Sequence, residues 1–519
     1  MSFSDPRRAA KRMFWILFAG FFGMCAAWAV AMPVAGTTDE AQHIVRAYGV
    51  VSGQIYGEVN ETWYMRQGAD FIVPRSLALT QATDCMYHTE PGSLKEQRRG
   101  ASCFTLTRDT SPELAGSWVG RYHPAYYAAV GWPLLLKPTY AGIIASRLLS
   151  ALFSAVLLAL AASLAIRLRR PLLLTGILLG VTPVAISIMG AVNPNGLEIA
   201  AGILLWTAGL AITQASDDLT AAEWRRLVWI FAMAACVMVS VRQTGPVIFG
   251  AIVVILALAA PREMRTKLIR DRGIRVAGGI VAAVSLIAVA WVITAHAYTM
   301  SGMTPMTPTE PSNMVLGLIK YRLDSWLTTT VGMFGYSETF APPALIIAWG
   351  IAISAIMLPS LLSAARREIA VMAAIFAATA GLLAALDFRY YTVIGWSQTG
   401  RYFLALGAGL MIYSTFVHRG FGAAANKRLV LMAGSIVFVC QLFSLAMVMS
   451  RFQRGPVGGI NPFRGDWFPM FGPVVPIVLL TAGVITMLYL AYRYAAAPWH
   501  KDTQAPLPPV EMRREPVPV

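Results

Sequence analysis

The chain has 519 residues, of which 57% are hydrophobic and only 13% charged, and its mean hydropathy is +0.59. Soluble domains carry roughly a quarter charged residues, so a string of soluble domains, which this length would otherwise allow, is excluded. The net charge of +16 does not imply a nucleic-acid partner, because the bases fall in short clusters between apolar runs and form no basic face.

Apolar runs near the length of about 20 residues that spans a bilayer recur at 13–32, 140–166, 171–190, 197–215, 227–242, 245–260, 276–296, 340–362, 369–386, 400–417, 429–449 and 471–492. They predict an all-α polytopic membrane protein of about twelve transmembrane helices, with one long loop after the first. The first span ends in Ala29-Val30-Ala31, which resembles a signal-peptidase site. An apolar run of about twenty residues is long for a secretory signal, so the span is read as retained.

Charge alternation sets the orientation. With Arg7, Arg8, Lys11 and Arg12 inside, the other inside segments hold Arg167/Arg169/Arg170, Arg225/Arg226, six bases within 261–275, Arg366/Arg367, Arg419/Lys427/Arg428 and Arg493/Lys501. Every cytoplasmic segment is then short and basic, which requires an even number of spans. The weakest pair, 227–260, is broken by Arg242-Gln243-Thr244-Gly245-Pro246 and reads as two helices or one re-entrant unit. Residues 1–12 are then a cytoplasmic N-terminus, and 33–139 a long extracytoplasmic loop. Residues 140–492 hold the remaining helices, with outer loops at 297–339, 387–399 and 450–470. Residues 493–519 form a Pro-rich, charged cytoplasmic tail expected to be disordered. This predicts a multi-pass membrane protein with both termini cytoplasmic, and the resemblance described below implies that the membrane is a bacterial cell (inner) membrane. No internal repeat is visible, which counts against transporters built from duplicated halves.

The long loop opens on Asp39-Glu40, with His43 and Arg46 one turn further on. One reading is a site where acid and base meet at headgroup level. The other is a helix start, with Asp39 as N-cap, Gln42 completing a capping box and Glu40 favouring the dipole. Cys85 and Cys103 in the same loop face an oxidising compartment, and a disulfide between them would stabilise the fold by roughly 3 kcal/mol. Zinc is the rival, but two thiols with His88 nearby fall short of four ligands. Cys25, Cys236 and Cys440 lie in apolar runs and read as packing residues. The loop closes on Arg121-Tyr122-His123-Pro124, where Arg121 and His123 could bind an anionic headgroup beside an interfacial aromatic belt.

Ionisable residues near the spans (Asp39, Glu40, Arg147, Glu198, Arg242, Asp387, Arg389, Arg401) sit close to outer helix ends, which suggests a site at the extracytoplasmic boundary rather than a path through the bilayer. At the start of the tenth span, Gln398-Thr399-Gly400-Arg401-Tyr402 offers an arginine suited to phosphate beside helix N–H groups; the alternative is an arginine snorkelling to the interface. Asp387, Arg389, Tyr390 and Tyr391 lie just upstream.

In this order the features resemble the GT-C superfamily of membrane glycosyltransferases, and more closely an uncharacterised family of predicted bacterial polytopic membrane proteins within it. The stretches that carry the resemblance are Thr38-Asp39-Glu40-Ala41-Gln42-His43, Arg121-Tyr122-His123-Pro124, the run from Thr182-Pro183 to Asn193-Pro194-Asn195-Gly196, Gly332 to Tyr336, and Gln398 to Tyr402. Two departures matter: Thr37-Thr38 stands where that family tends to carry two prolines, and Asn195 where its turn tends to carry an acid. No carboxylate role is therefore carried over to that turn.

The resemblance implies transfer of a sugar from a polyprenyl-phosphate carrier to a glycan, lipid or protein acceptor at the outer face, with inversion. Asp39 would be the general base, with Glu40 orienting it or a metal. Arg401, with Arg121, His123 or Arg389, would hold the donor phosphate, and His43, Arg46, Tyr122, Gln398 and Tyr402 are further candidates. No cofactor is required; a divalent cation, if used, would sit at Asp39 and Glu40. The competing classes are a transporter or flippase of a lipid-linked saccharide, and a non-catalytic scaffold in which the acidic pair is only a cap.

Overall fold

The computed structural model describes residues 6–58, 68–87, 100–214, 219–297, 311–394, 396, 399–419, 422–456 and 459–495. Most of the tail expected to be disordered, together with Gln398, His88 and Lys501, lies outside them. The helices in chain order are α1 (Pro6–Ala31), α2 (Glu40–Val51), α3 (Thr80–Tyr87), α4 (Pro124–Leu136), α5 (Tyr140–Arg167), α6 (Leu173–Gly180), α7 (Pro183–Met189), α8 (Pro194–Gln214), α9 (Ala221–Val241) and α10 (Gly245–Ala259). They continue with α11 (Arg262–Arg270), α12 (Arg272–Thr294), α13 (Pro311–Gly317), α14 (Leu323–Val331), α15 (Pro343–Ser363), α16 (Arg366–Ile394), α17 (Leu404–Val417), α18 (Ala423–Arg454) and α19 (Val474–Tyr494). The chain is mostly helical and multi-pass: among the described residues, nine helices are long and apolar enough to cross a membrane.

The other three predicted spans form shorter helices. The run 171–190 is broken at Val181-Thr182 into α6 and α7, because a residue preceding proline is driven out of the helical region and Thr182 is extended (φ −63°, ψ 163°), capping Pro183 at the first position of α7. The run 245–260 is the 15-residue α10. The run 400–417 begins as a 3-10 turn, Gly400–Phe403, before the 14-residue α17. Two of the loops expected outside are also more helical than expected. Helix α16 continues through the start of 387–399 to Ile394, and much of 297–339 is α13 and α14 joined by a π-turn at Leu318–Arg322.

Helix α1 packs against α5 and α19, while α8 lies between α5, α9 and α17 and is buried along its length. The apolar residues of α12 instead face outward, with Leu286, Ile287 and Ile293 more than half exposed, as expected of a surface in contact with lipid. In the long loop, α2 packs on α4 and on an antiparallel pair, β1 (Ala69–Pro74) and β2 (Pro112–Ser117), in register from Ala69–Ser117 to Pro74–Pro112. A second short hairpin, β3 (Met333–Phe334) with β4 (Thr339–Phe340), follows α14. Cys85 and Cys103 form a disulfide that ties α3 to the 3-10 turn at Ala101–Cys103.

Candidate active site

The start of α2 is held from every side. Glu40 is fully buried and meets Arg147 of α5 in a bidentate pair, with Arg147 Nε donating to Oε1 at 2.7 Å and Nη2 to Oε2 at 2.5 Å. The N–H of Val192, in the turn between α7 and α8, donates to the same carboxylate at 3.1 Å. Arg147 spends its other N–H groups on the carbonyls of Ala29 (3.1 Å), Met32 (2.8 Å) and Pro33 (2.6 Å). A carboxylate engaged in this way does not fit a metal site at Asp39 and Glu40. Among the described residues no cluster of three or more His, Cys, Asp or Glu could hold a cation.

Two further stretches singled out in the sequence close on the same segment. Asn193 Nδ2 donates to the Thr38 carbonyl at 3.1 Å, and Thr38 Oγ1 donates to the Gly335 carbonyl at 2.5 Å. Gly190 lets the α7–α8 turn lie against α1: a Cβ there would collide with the carbonyl of Cys25. Tyr87 of α3 donates to the Ala35 carbonyl at 2.9 Å.

This bracing sustains an unusual backbone. Ala35 and Asp39 both adopt left-handed conformations (φ 58° and 61°), which cost non-glycine residues of order 1–3 kcal/mol and persist only where the surroundings over-determine them. Asp39 occupies the N-cap position of α2, yet its side chain makes no cap hydrogen bond. Gln42 does not complete a capping box either, since its Oε1 accepts from Trp118 N–H at 3.3 Å. The expected capping box is therefore absent, although Asp39 does stand at the N-cap position and Glu40 in the first turn of α2. The left-handed turn aims the Asp39 carboxylate away from its own helix, towards Arg401 Nη2 at 3.4 Å, with the Asp39 side chain 24% exposed and that of Arg401 3%. Burial raises the Asp39 pKa above the usual carboxylate range, against the lowering effect of the Arg401 and Arg242 charges.

Arg401 is positioned by Gly400, where a Cβ would collide with Trp326 and Thr330 of α14, and by Thr399 Oγ1, which accepts from its Nε at 3.0 Å. Its guanidinium lies 5.2 Å from the Tyr402 ring centre. Arg242 covers the same ring at 4.9 Å and pairs with Glu198 of α8 at 2.7 Å. Asn195 Nδ2 and Thr244 Oγ1 donate to that carboxylate at 3.0 and 3.1 Å. Asn195 thus serves the turn as a donor to Glu198.

The remaining candidates divide. Tyr122 lies within reach of the same charges: burial pushes its phenol up to about 12, with Arg242 opposing and the Tyr402 and Asp39 charges adding. His43 turns inward, its Nδ1 2.8 Å from Tyr127 Oη, and burial, then Arg242 and Arg401, hold its pKa well below the ordinary value. Arg46 is buried among the rings of Phe71, Tyr127 and Trp291, donating to the carbonyls of Ile55 and Tyr122 at 2.6 and 2.8 Å. Arg121 reaches the Ala295 carbonyl at 3.1 Å, and His123 caps α4 and meets Trp291 edge-on. Arg389 is exposed over Tyr390, and its neighbour Asp387 pairs with Arg322 and Trp326 at 3.0 Å each. The structure therefore brings Arg242, not Arg121, His123 or Arg389, beside Arg401.

The residues that brace the site but were not assigned to it from sequence are Arg147, Glu198 and Arg242. The signal was there: each is a charge within or beside an apolar run, and ionisable residues in such runs are rare and pair with one another. Trp118 and Tyr87 carried no such signal.

The five stretches singled out in the sequence lie within a region, residues 22–410, that matches the sequence pattern of DUF2142, described as a predicted membrane protein. The chain belongs to the DUF2142 family. No curated protein matches it. The family description stops at the membrane, so the chemistry of this DUF2142 protein has to be argued from its own residues.

Proposed function

We propose that this DUF2142 protein is a GT-C-type glycosyltransferase that moves a sugar from a polyprenyl-phosphate carrier to an acceptor hydroxyl at the extracytoplasmic face of a bacterial inner membrane. The observation that carries the reading is the Asp39 carboxylate, held in a left-handed turn, released from capping and facing Arg401. An acceptor hydroxyl needs a base within hydrogen-bond reach. Asp39 takes its proton as the oxygen attacks the anomeric carbon and the bond to the carrier phosphate breaks. Its raised pKa favours that transfer. Glu40, locked to Arg147, is a positioning residue. The leaving phosphate needs fixed positive charge where its own charge develops, and Arg401 supplies it with Arg242 behind Tyr402. Attack opposite the phosphate inverts the anomeric configuration. No step requires a metal. In this reading α6–α7, α10 and the Gly400–Val417 segment complete the crossings, which keeps twelve spans and both termini cytoplasmic.

The test is incubation of the purified protein with a panel of polyprenyl-phosphate sugars, scored for stabilisation, hydrolysis and transfer. Turnover that is lost in Asp39→Asn supports the reading. Movement of an intact donor across proteoliposomes, without bond cleavage, would replace it with transport.

A further inference from the structure

The surroundings of Asp39 are asymmetric. The arginines that face it, Arg401 and Arg242, come from the start of the Gly400–Phe403 turn and the α9–α10 junction. The other side is aromatic. Trp118, just after β2, is half-buried, and its backbone is tied to the first turn of α2: its main-chain N–H donates to Gln42 Oε1 at 3.3 Å, and its neighbour Ser117 donates to the Gln42 carbonyl at 2.8 Å. Tyr336 is pinned from the other direction by the Thr38–Gly335 hydrogen bond and by its own N–H, which donates to Glu338 Oε2 at 2.6 Å. The two rings meet edge to face at 6.1 Å, and Tyr87 stacks on Tyr336 at 5.3 Å. Arg451 approaches Tyr87, but its charge is met by Glu338 at 3.2 Å.

A phosphate finds little on this aromatic side to neutralise it. A pyranose ring finds what it needs: flat π faces for its C–H groups, and polar groups at their edges for its hydroxyls. Burial and the charges of Asp39, Tyr402 and Asp84 raise the Tyr336 phenol pKa, so it stays a neutral hydrogen-bond donor, and Asp84 lies exposed on α3.

We infer that Trp118 and Tyr336 form an acceptor subsite that binds a pyranose ring beside Asp39, so that the acceptor of this protein is a saccharide. The inference rests on the transfer reading for its geometry but is tested without a donor. Tryptophan fluorescence is titrated with a set of methyl pyranosides on the detergent-solubilised full chain. The expected result is a saturable response in the native protein whose amplitude is lost in Trp118→Phe, which keeps a ring for stacking. In Tyr336→Ala the Kd rises about two- to tenfold, the scale of one aromatic contact. A native chain with no saturable response, or an unchanged amplitude in folded Trp118→Phe, overturns the subsite. Pyranoside binding at Trp118 with no turnover of any carrier-linked sugar keeps the subsite and removes the transfer reading. Turnover whose saccharide KM is unmoved by both variants does the reverse.

Discussion

Replacing Glu40 by glutamine separates the bracing of the site from its chemistry. The substitution changes little volume, but it removes the one carboxylate that faces the Arg147 guanidinium. Both side chains are fully buried, and the bidentate pair at 2.7 and 2.5 Å is the only contact of Arg147 with an acid among the described residues. Breaking one partner of a buried pair leaves an uncompensated charge and costs about 3–5 kcal/mol. The three carbonyls that Arg147 also serves solvate part of that charge, so the lower end, about 3 kcal/mol, is expected. The measurement is unfolding of purified protein in mixed micelles, with Glu40→Gln, Arg147→Gln and the double variant forming a cycle. The double variant should be less destabilised than the sum of the singles, because each single leaves a lone charge behind and the double leaves none. A Glu40→Gln loss within about 1 kcal/mol, the size of an ordinary substitution, would refute the claim that this carboxylate is structural.

Asp39→Asn should do the opposite, abolishing transfer while leaving the melting midpoint at or slightly above that of the native chain. Because the Asp39 pKa is raised in the folded protein, its contribution to stability is fully present at low pH and is lost as pH rises through that value. The rate runs the other way: kcat/KM should climb with pH along a limb that lies above the ordinary carboxylate range, and a limb at or below that range argues against Asp39 as base. Arg401→Ala should raise the donor KM and lower kcat, with Arg401→Lys recovering part of both; unchanged values for the alanine variant remove Arg401 from the donor site. Replacing Cys85 and Cys103 together by serine should cost about 3 kcal/mol, seen as a lower unfolding midpoint, and an unshifted midpoint would show that the cross-link contributes nothing to the fold.

Class, apolar segments and loop position were legible in the residues. Twenty-residue apolar runs have few alternatives once a bilayer is the solvent, because backbone polar groups must be satisfied within the segment. The disulfide was legible too, from two cysteines in one loop expected to lie outside. Local chemistry explains where the reading of helices failed. Pro183 splits a run that hydropathy joins, and Gly400 seats a 3-10 turn against α14 where hydropathy sees only continued apolar sequence.

The site was legible only in part. Asp39 and Arg401 were both singled out, yet they stand 362 positions apart, and no spacing rule links them. What only the tertiary structure decided is which partner each member of the acidic pair takes. In sequence Asp39 and Glu40 are equivalent neighbours at a helix start. In the fold the left-handed turn at Asp39 sends the two carboxylates in different directions, one to Arg147, fully buried, and the other to Arg401, where Asp39 stays partly exposed. Adjacent residues share a sequence environment, but one backbone dihedral suffices to give them different partners, and the partners set what each carboxylate can do.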